Sequence, residues 1–163
     1  MTVCLSQLGL VTPLGVGQSE TLENLLAGKR GLEKRMTLVD GQTTPVGYVD
    51  RALVAVPPDL QPYQSRNLSL ALTALAQIEE GVRDAIHTYG VERIGVIVGS
   101  STSGIESGID ALNVHRSTQK FPETYDFRCQ EIGGVSRSIA AYYGLEGPNY
   151  TISTACSSGA KAL

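Results

Sequence analysis

The stretch Ile94-Gly-Val-Ile-Val-Gly99 limits the possible folds more than any other part of the chain. A short, continuous run of β-branched apolar residues suits a strand covered on both faces, as in parallel sheets flanked by helices. Before it lies the longest helical pattern, Arg66 to Tyr89. There Leu68, Leu72, Leu75, Ile78, Val82 and Ile86 recur every three or four residues, and Gly90 closes the run. After it comes a second helical pattern, Glu131 to Tyr143, closed by Gly144, and then a second short strand, Asn149-Tyr-Thr-Ile-Ser153. Strands that alternate with helices predict an α/β fold with crossover connections and a mainly parallel sheet flanked by helices.

The flanking segments read less sharply. Val3 to Leu8 is expected to be a first strand, ending in the turn Thr12-Pro13-Leu14-Gly15. A helix follows, capped by Ser19, with Leu22, Leu25 and Leu26 as its apolar stripe and Gly28 as its stop. Residues 29–45 are charged and aperiodic, a surface excursion, and Pro45-Val-Gly-Tyr-Val-Asp50 is a candidate strand. Residues 105–127 mix aromatic and charged side chains without a clear period. With no linker or repeat, residues 1–163 read as one domain.

Charge and composition exclude several classes. Hydrophobic residues make up 42% and charged residues 18%, a globular balance, and the net charge of −3 points to neither nucleic acid nor an anionic membrane. No basic amino-terminal stretch or long apolar run suggests export or membrane insertion, so a cytoplasmic protein is expected. The three cysteines, Cys4, Cys129 and Cys156, are widely spaced and no C-x-x-C occurs, so neither a disulfide framework nor a zinc site is expected. His87, at a helix end, and His115, in the irregular stretch, read as structural or surface residues. Cys4 reads as a small core residue, and Arg128 is a neighbour able to lower the pKa of Cys129.

Thr154-Ala-Cys-Ser-Ser-Gly-Ala160 carries the chemistry. A strand entering a helix through small residues makes a sharp elbow whose side chain projects outward. A cysteine at a helix start meets unpaired N–H groups and the positive end of the dipole, which favour a thiolate able to accept an acyl group. The same residues also suit a buried structural cysteine beside a close packing contact. Local physics leaves both readings open.

Gly147-Pro-Asn-Tyr-Thr-Ile-Ser-Thr-Ala-Cys-Ser-Ser-Gly-Ala-Lys-Ala-Leu163 resembles, position by position, the active-site signature of the β-ketoacyl synthase family. Leu8-Gly-Leu-Val-Thr-Pro-Leu-Gly15 is similar to the family's opening turn and Leu26-Ala-Gly-Lys-Arg-Gly31 to the end of its first helix. Gly95-Val-Ile-Val-Gly-Ser-Ser-Thr-Ser-Gly-Ile105 is similar to the strand and glycine loop beside the acyl pocket. Gln7 departs from the family, whose first turn usually has Gly there.

The resemblance implies the amino-terminal half of a thiolase-like fold, with a five-stranded mixed sheet between helices. It implies decarboxylative condensation of an acyl thioester with a malonyl unit in fatty acid, polyketide or aryl-polyene assembly. Cys156 would be the acyl-accepting nucleophile. Thr102, with Ser103 and Gly104, would border the acyl chain, Thr102 as a gate on its length, and Ser100 to Ile105 are expected to share a cavity with Cys156. No resident cofactor is implied, the substrates riding on the phosphopantetheine of acyl carrier protein. The expected partners are that carrier and a second subunit, in a homodimer or a ketosynthase heterodimer. The family's paired histidines lie in its carboxy-terminal half, whereas Leu163 follows Cys156 by only seven residues, so these 163 residues alone are expected to be inactive in condensation. The rival reading is a non-catalytic subunit like a chain length factor, a class that lacks the nucleophilic cysteine.

Overall fold

The computed structural model describes residues 4–37 and 41–163, the side chains of 34–37 excepted. Two compact units form, one from Met1–Leu53 with Thr73–Glu79, the other from Val54–Leu72 with Glu80–Leu163.

In the first unit, β1 (Val11–Thr12) and β2 (Gly15–Val16) pair as a tight antiparallel hairpin and lead into α1 (Gln18–Leu26). The helix starts earlier than the Ser19 cap implies. Gly17 is the N-cap at φ 93, and the Glu20 carboxylate reaches back to accept from the Val16 N–H at 2.9 Å. Glycine at positive φ turns the chain, and a carboxylate in the first helical turn satisfies an orphan donor. Arg51 pairs with the same carboxylate at 2.6 Å. The expected strand through Leu8 does not form among its described residues. Residues 4–10 are irregular, Leu5 and Leu8 are exposed, and Cys4 is exposed and not in a core. Val3 lies outside the described residues. What anchors this segment is Gln77, whose side-chain amide accepts from the Leu10 N–H at 3.0 Å and donates to the Leu10 carbonyl at 2.9 Å. One side chain thus replaces a partner strand.

The expected surface excursion of residues 29–45 is also corrected. β3 (Leu32–Thr37) and β4 (Thr43–Gly47) form an antiparallel hairpin with an irregularity between Lys34 and Met36. The candidate strand Pro45–Asp50 overlaps β4 over Pro45–Gly47, whereas the charged sequence of β3 carries no apolar alternation to mark it.

The long helical pattern holds over its whole length, as α2 (Arg66–Leu75) and α3 (Glu79–Tyr89) joined by a 3₁₀ turn at Ala76–Ile78. In the second unit Leu68 is fully buried and Leu72 nearly so. Burying such a side chain contributes roughly 1.5–3 kcal/mol. Val56, Leu60, Ala111, Cys129, Val135, Ile139 and Ala140 complete this core.

Its sheet is the parallel pair β5 (Val96–Gly99) and β6 (Asn149–Ile152), in register from Val96↔Asn149 to Gly99↔Ile152. The parallel pair joins the two expected strands. The expectation that both faces of β5 are covered is corrected: Val96 and Val98 are half-buried, while Ile97 is 45% exposed. Between them lie α4 (Ile105–Thr118) and α5 (Gly134–Tyr143). The regular 14-residue α4 overturns the irregular reading of residues 105–118. Its Gly108 suggests a break, but a Cβ there would overlap the Gln130 side-chain amide, so glycine serves close packing. α5 turns Val135, Ser136, Ser138 and Ile139 inward and stops at Gly144, φ 66. Its buried hydroxyls are satisfied: Ser138 donates to the Gly134 carbonyl at 2.8 Å, and Ser136 donates to Gly133 at 3.1 Å.

Candidate active site

β6 ends at Ile152, the chain turns through Ser153 and Thr154, and a 3₁₀ turn at Ala155–Ser157 leads into α6 (Ser158–Ala162). Cys156 sits at the middle of that turn with an exposed thiol. This is the expected strand-to-helix elbow. Ala155 is bent to φ 52, a conformation rare without glycine, so the turn must be held by its surroundings. The Ser158 hydroxyl provides much of that hold. It accepts from the Thr154 N–H at 2.9 Å and donates to the Ala155 carbonyl at 2.7 Å, and its residue is 3% exposed. Ser157 adds a hydroxyl bond to the Thr154 carbonyl at 2.9 Å. Sequence reasoning treats these serines merely as small neighbours. The signal for more is a hydroxyl two residues after Cys156, at a helix start where such groups cap backbone donors.

The neighbouring strand brings in the glycine loop. The Ser100 N–H donates to the Ile152 carbonyl at 3.1 Å, so the two strands release their loops side by side. A Cβ on Gly99 would lie 2.6 Å from the Ser158 carbonyl, which makes that position fit only for glycine. Thr102 is exposed. Ser103 and Gly104 are buried, and the Ser103 hydroxyl is committed to the Glu131 carbonyl at 2.8 Å.

The second unit also holds a cavity of about 340 Å³ walled by Gln64, Ser107, Asp110, Val114, Tyr125 and Cys129 among others. Neither Cys156 nor Thr102, Ser103 or Gly104 lines it. Burial, and then the Asp126 carboxylate, push the Cys129 thiol up in pKa. Arg128 does not lower it, because its guanidinium is engaged with Asp126 at 2.7 Å. Those Arg128 side-chain bonds, and then the Arg128 N–H, hold the Asp126 carboxyl down to about 2. Burial raises the Tyr125 phenol. His115 stacks on Phe121 at 4.5 Å, and Phe121 on Tyr125 at 5.5 Å. His87 lies exposed in the last turn of α3. Among the described residues, no cluster of His, Cys, Asp and Glu is placed to hold a metal ion, and no helix is long and apolar enough to cross a membrane.

Residues 2–163 match the family model described as beta-ketoacyl synthase, N-terminal domain. A 3-oxoacyl-[acyl-carrier-protein] synthase 2 of Coxiella burnetii is 32% identical over 96% of this chain and 39% of its own length. Synthase 1 of Escherichia coli K12 is 25% identical over 96% of this chain and 40% of its own length. The solved ketosynthase ApeO of Xenorhabdus doucetiae, in complex with its chain length factor ApeC, superposes with a TM-score of 0.89 at 39% identity. That match covers 96% of this chain and 40% of the matched chain. The chain thus spans about two fifths of the length of these relatives. The fold is the amino-terminal part of the thiolase-like α/β architecture. On the match of nearly its whole length, and on the elbow described above, the chain belongs to the β-ketoacyl synthase family.

Proposed function

We propose that this chain carries the acyl-accepting part of a 3-oxoacyl-acyl carrier protein synthase, with Cys156 as nucleophile. The supporting observation is the exposed Cys156 on a braced strand-to-helix elbow, within a chain that matches the family's N-terminal domain. In this reading the Cys156 sulfur attacks an acyl thioester carbonyl. A carbon–sulfur bond forms, the carrier thiol leaves with the proton, and the acyl group rests on Cys156. A malonyl thioester then loses carbon dioxide, and its carbanion attacks the acyl carbonyl and releases Cys156. Covalent capture divides one difficult carbon–carbon bond formation into easier steps. Both substrates ride on the phosphopantetheine arm of acyl carrier protein. A ketosynthase-type dimer is the expected assembly. The solved neighbour, a ketosynthase bound to its chain length factor, favours a heterodimer of that kind.

The experiment is acyl transfer from a carrier-bound or coenzyme A thioester, read by intact-protein mass and peptide mapping. Wild-type protein is expected to gain one acyl group on Cys156. Cys156→Ala is expected to lose that adduct and, in the full-length protein, condensation with it by at least about a thousandfold. Condensation that survives Cys156→Ala overturns the assignment. Absence of acylation in the wild-type protein supports the rival reading, a non-catalytic partner subunit.

A further inference from the structure

Among the described residues other than glycine, three have positive φ: Ser103, Gln119 and Ala155. Gln119 is the left-handed cap of α4, and Ser103 is tied by its hydroxyl to the Glu131 carbonyl. Ala155 immediately precedes Cys156, so its backbone angle sets where the thiol stands. An alanine in this region is strained by contact between its Cβ and the backbone, and it keeps that shape only while neighbours over-determine it.

Ser158 supplies that determination. Its hydroxyl accepts from the Thr154 N–H at 2.9 Å and donates to the Ala155 carbonyl at 2.7 Å, so one oxygen atom bridges the chain across the strained residue. That carbonyl belongs to the peptide bond leading into Cys156. The backbone of Ser158 is pinned in turn: Gly99 at the end of β5 is bare, and a Cβ there would lie 2.6 Å from the Ser158 carbonyl. The residue is 3% exposed, so water cannot readily take the place of its hydroxyl. The Ser157 hydroxyl differs. Its bonds to Thr154 are exposed, where water can replace them.

We propose that Ser158 is a positioning residue for Cys156: its hydroxyl holds Ala155 at positive φ and so ties the placement of the nucleophile to the end of β5. The proposal rests on Cys156 being the acyl acceptor. Attack on a thioester carbonyl needs the sulfur close and in line, and misplacement by about 1 Å costs on the order of a hundredfold in rate. Without the hydroxyl, Ala155 relaxes toward negative φ and the Cys156 side chain turns with it.

The test uses the full-length protein with the acetyl and octanoyl thioesters of coenzyme A, following Cys156 acylation in time by intact mass over a range of thioester concentrations. The amplitude counts folded protein, and the limiting rate constant reports where the sulfur stands. Ser158→Ala adds no atom and puts a strong helix former at the start of α6. It is expected to keep the amplitude and the half-saturating concentration while the limiting rate constant falls by about ten- to a hundredfold. Adding Ala155→Gly, which frees the positive φ of strain, is expected to restore most of that loss. A residue that only supports folding would lower the amplitude alone. An undiminished rate constant in Ser158→Ala, or a loss that Ala155→Gly leaves in place, overturns this proposal alone. A wild-type protein that forms no Cys156 adduct overturns the Cys156 reading and this proposal together. Should Ser158→Ala not fold, Ala155→Val decides the question. It leaves the hydroxyl in place and strains the same turn further, so an undiminished rate constant there overturns the proposal too.

Discussion

Arg128 stands next to Cys129 in sequence, yet its guanidinium donates to both carboxylate oxygens of Asp126, at 2.9 and 2.7 Å, and the Arg128 N–H adds a third bond at 2.9 Å. These bonds hold Asp126 down to about 2. A carboxyl depressed in the folded state stabilises the fold above its unfolded pKa of about 4, and that contribution is lost as pH falls through about 2. Both groups are partly exposed, so the effect is small and declines with salt. In a carboxyl-carbon titration by NMR, Asp126 is expected to move up toward about 4 in Arg128→Gln. A midpoint left in place would show that Arg128 does not control it. The cysteines separate by exposure: Cys129 is 5% exposed, and Cys4 and Cys156 are open. A thiol-specific reagent applied to native protein is expected to label Cys129 last, and only at the rate of local opening. Prompt labelling of Cys129 would contradict the buried placement.

At the scale of elements, the second unit hangs on a few packed helix faces. Leu68 on α2 is fully buried, and Leu68→Ala is expected to cost about 2–5 kcal/mol in denaturant unfolding. Gly99→Ala should cost about 1–3 kcal/mol, because a Cβ there meets rigid backbone at Ser158 and not a flexible side chain. A Gly99→Ala protein as stable as wild type would show that β5 and α6 are not in close contact. The helices were legible because periodicity records which face is buried, and Arg66–Tyr89 shows this well. β3 was not, since its charged sequence leaves no apolar trace, whereas the candidate strand at Pro45–Asp50 overlaps β4 over Pro45–Gly47. α4 was obscured for another reason. Its apolar residues Ile105, Ile109 and Leu112 are about half exposed, and its buried face is made of Gly108 and Ala111, small residues that hydrophobic patterning does not register.

Across the molecule, much apolar surface stays open. Leu22, Leu25 and Leu26 of α1 are each more than half exposed, and Ile105, Ile109 and Leu112 repeat along one side of α4. Each of these exposed helix faces, taken by itself, is apolar surface that promotes association. The 163-residue chain is expected to bind an apolar dye and to self-associate in light scattering, and Leu112→Lys should lessen both. Equal scattering by the two proteins would show that this side of α4 is not a contact surface. The sequence by itself determined the α/β alternation and the elbow at Cys156, because helix periodicity and helix-start chemistry are local and are written in consecutive residues. It also carried the family resemblance, which the match over residues 2–163 bears out. Only the tertiary structure decided that the Ser158 hydroxyl braces the elbow, that Arg128 serves Asp126, and that Ser103 is held by the Glu131 carbonyl. Each depends on which atom a sequence-distant or competing neighbour presents within about 3 Å, and a hydrogen bond is lost within a few tenths of an ångström beyond that reach.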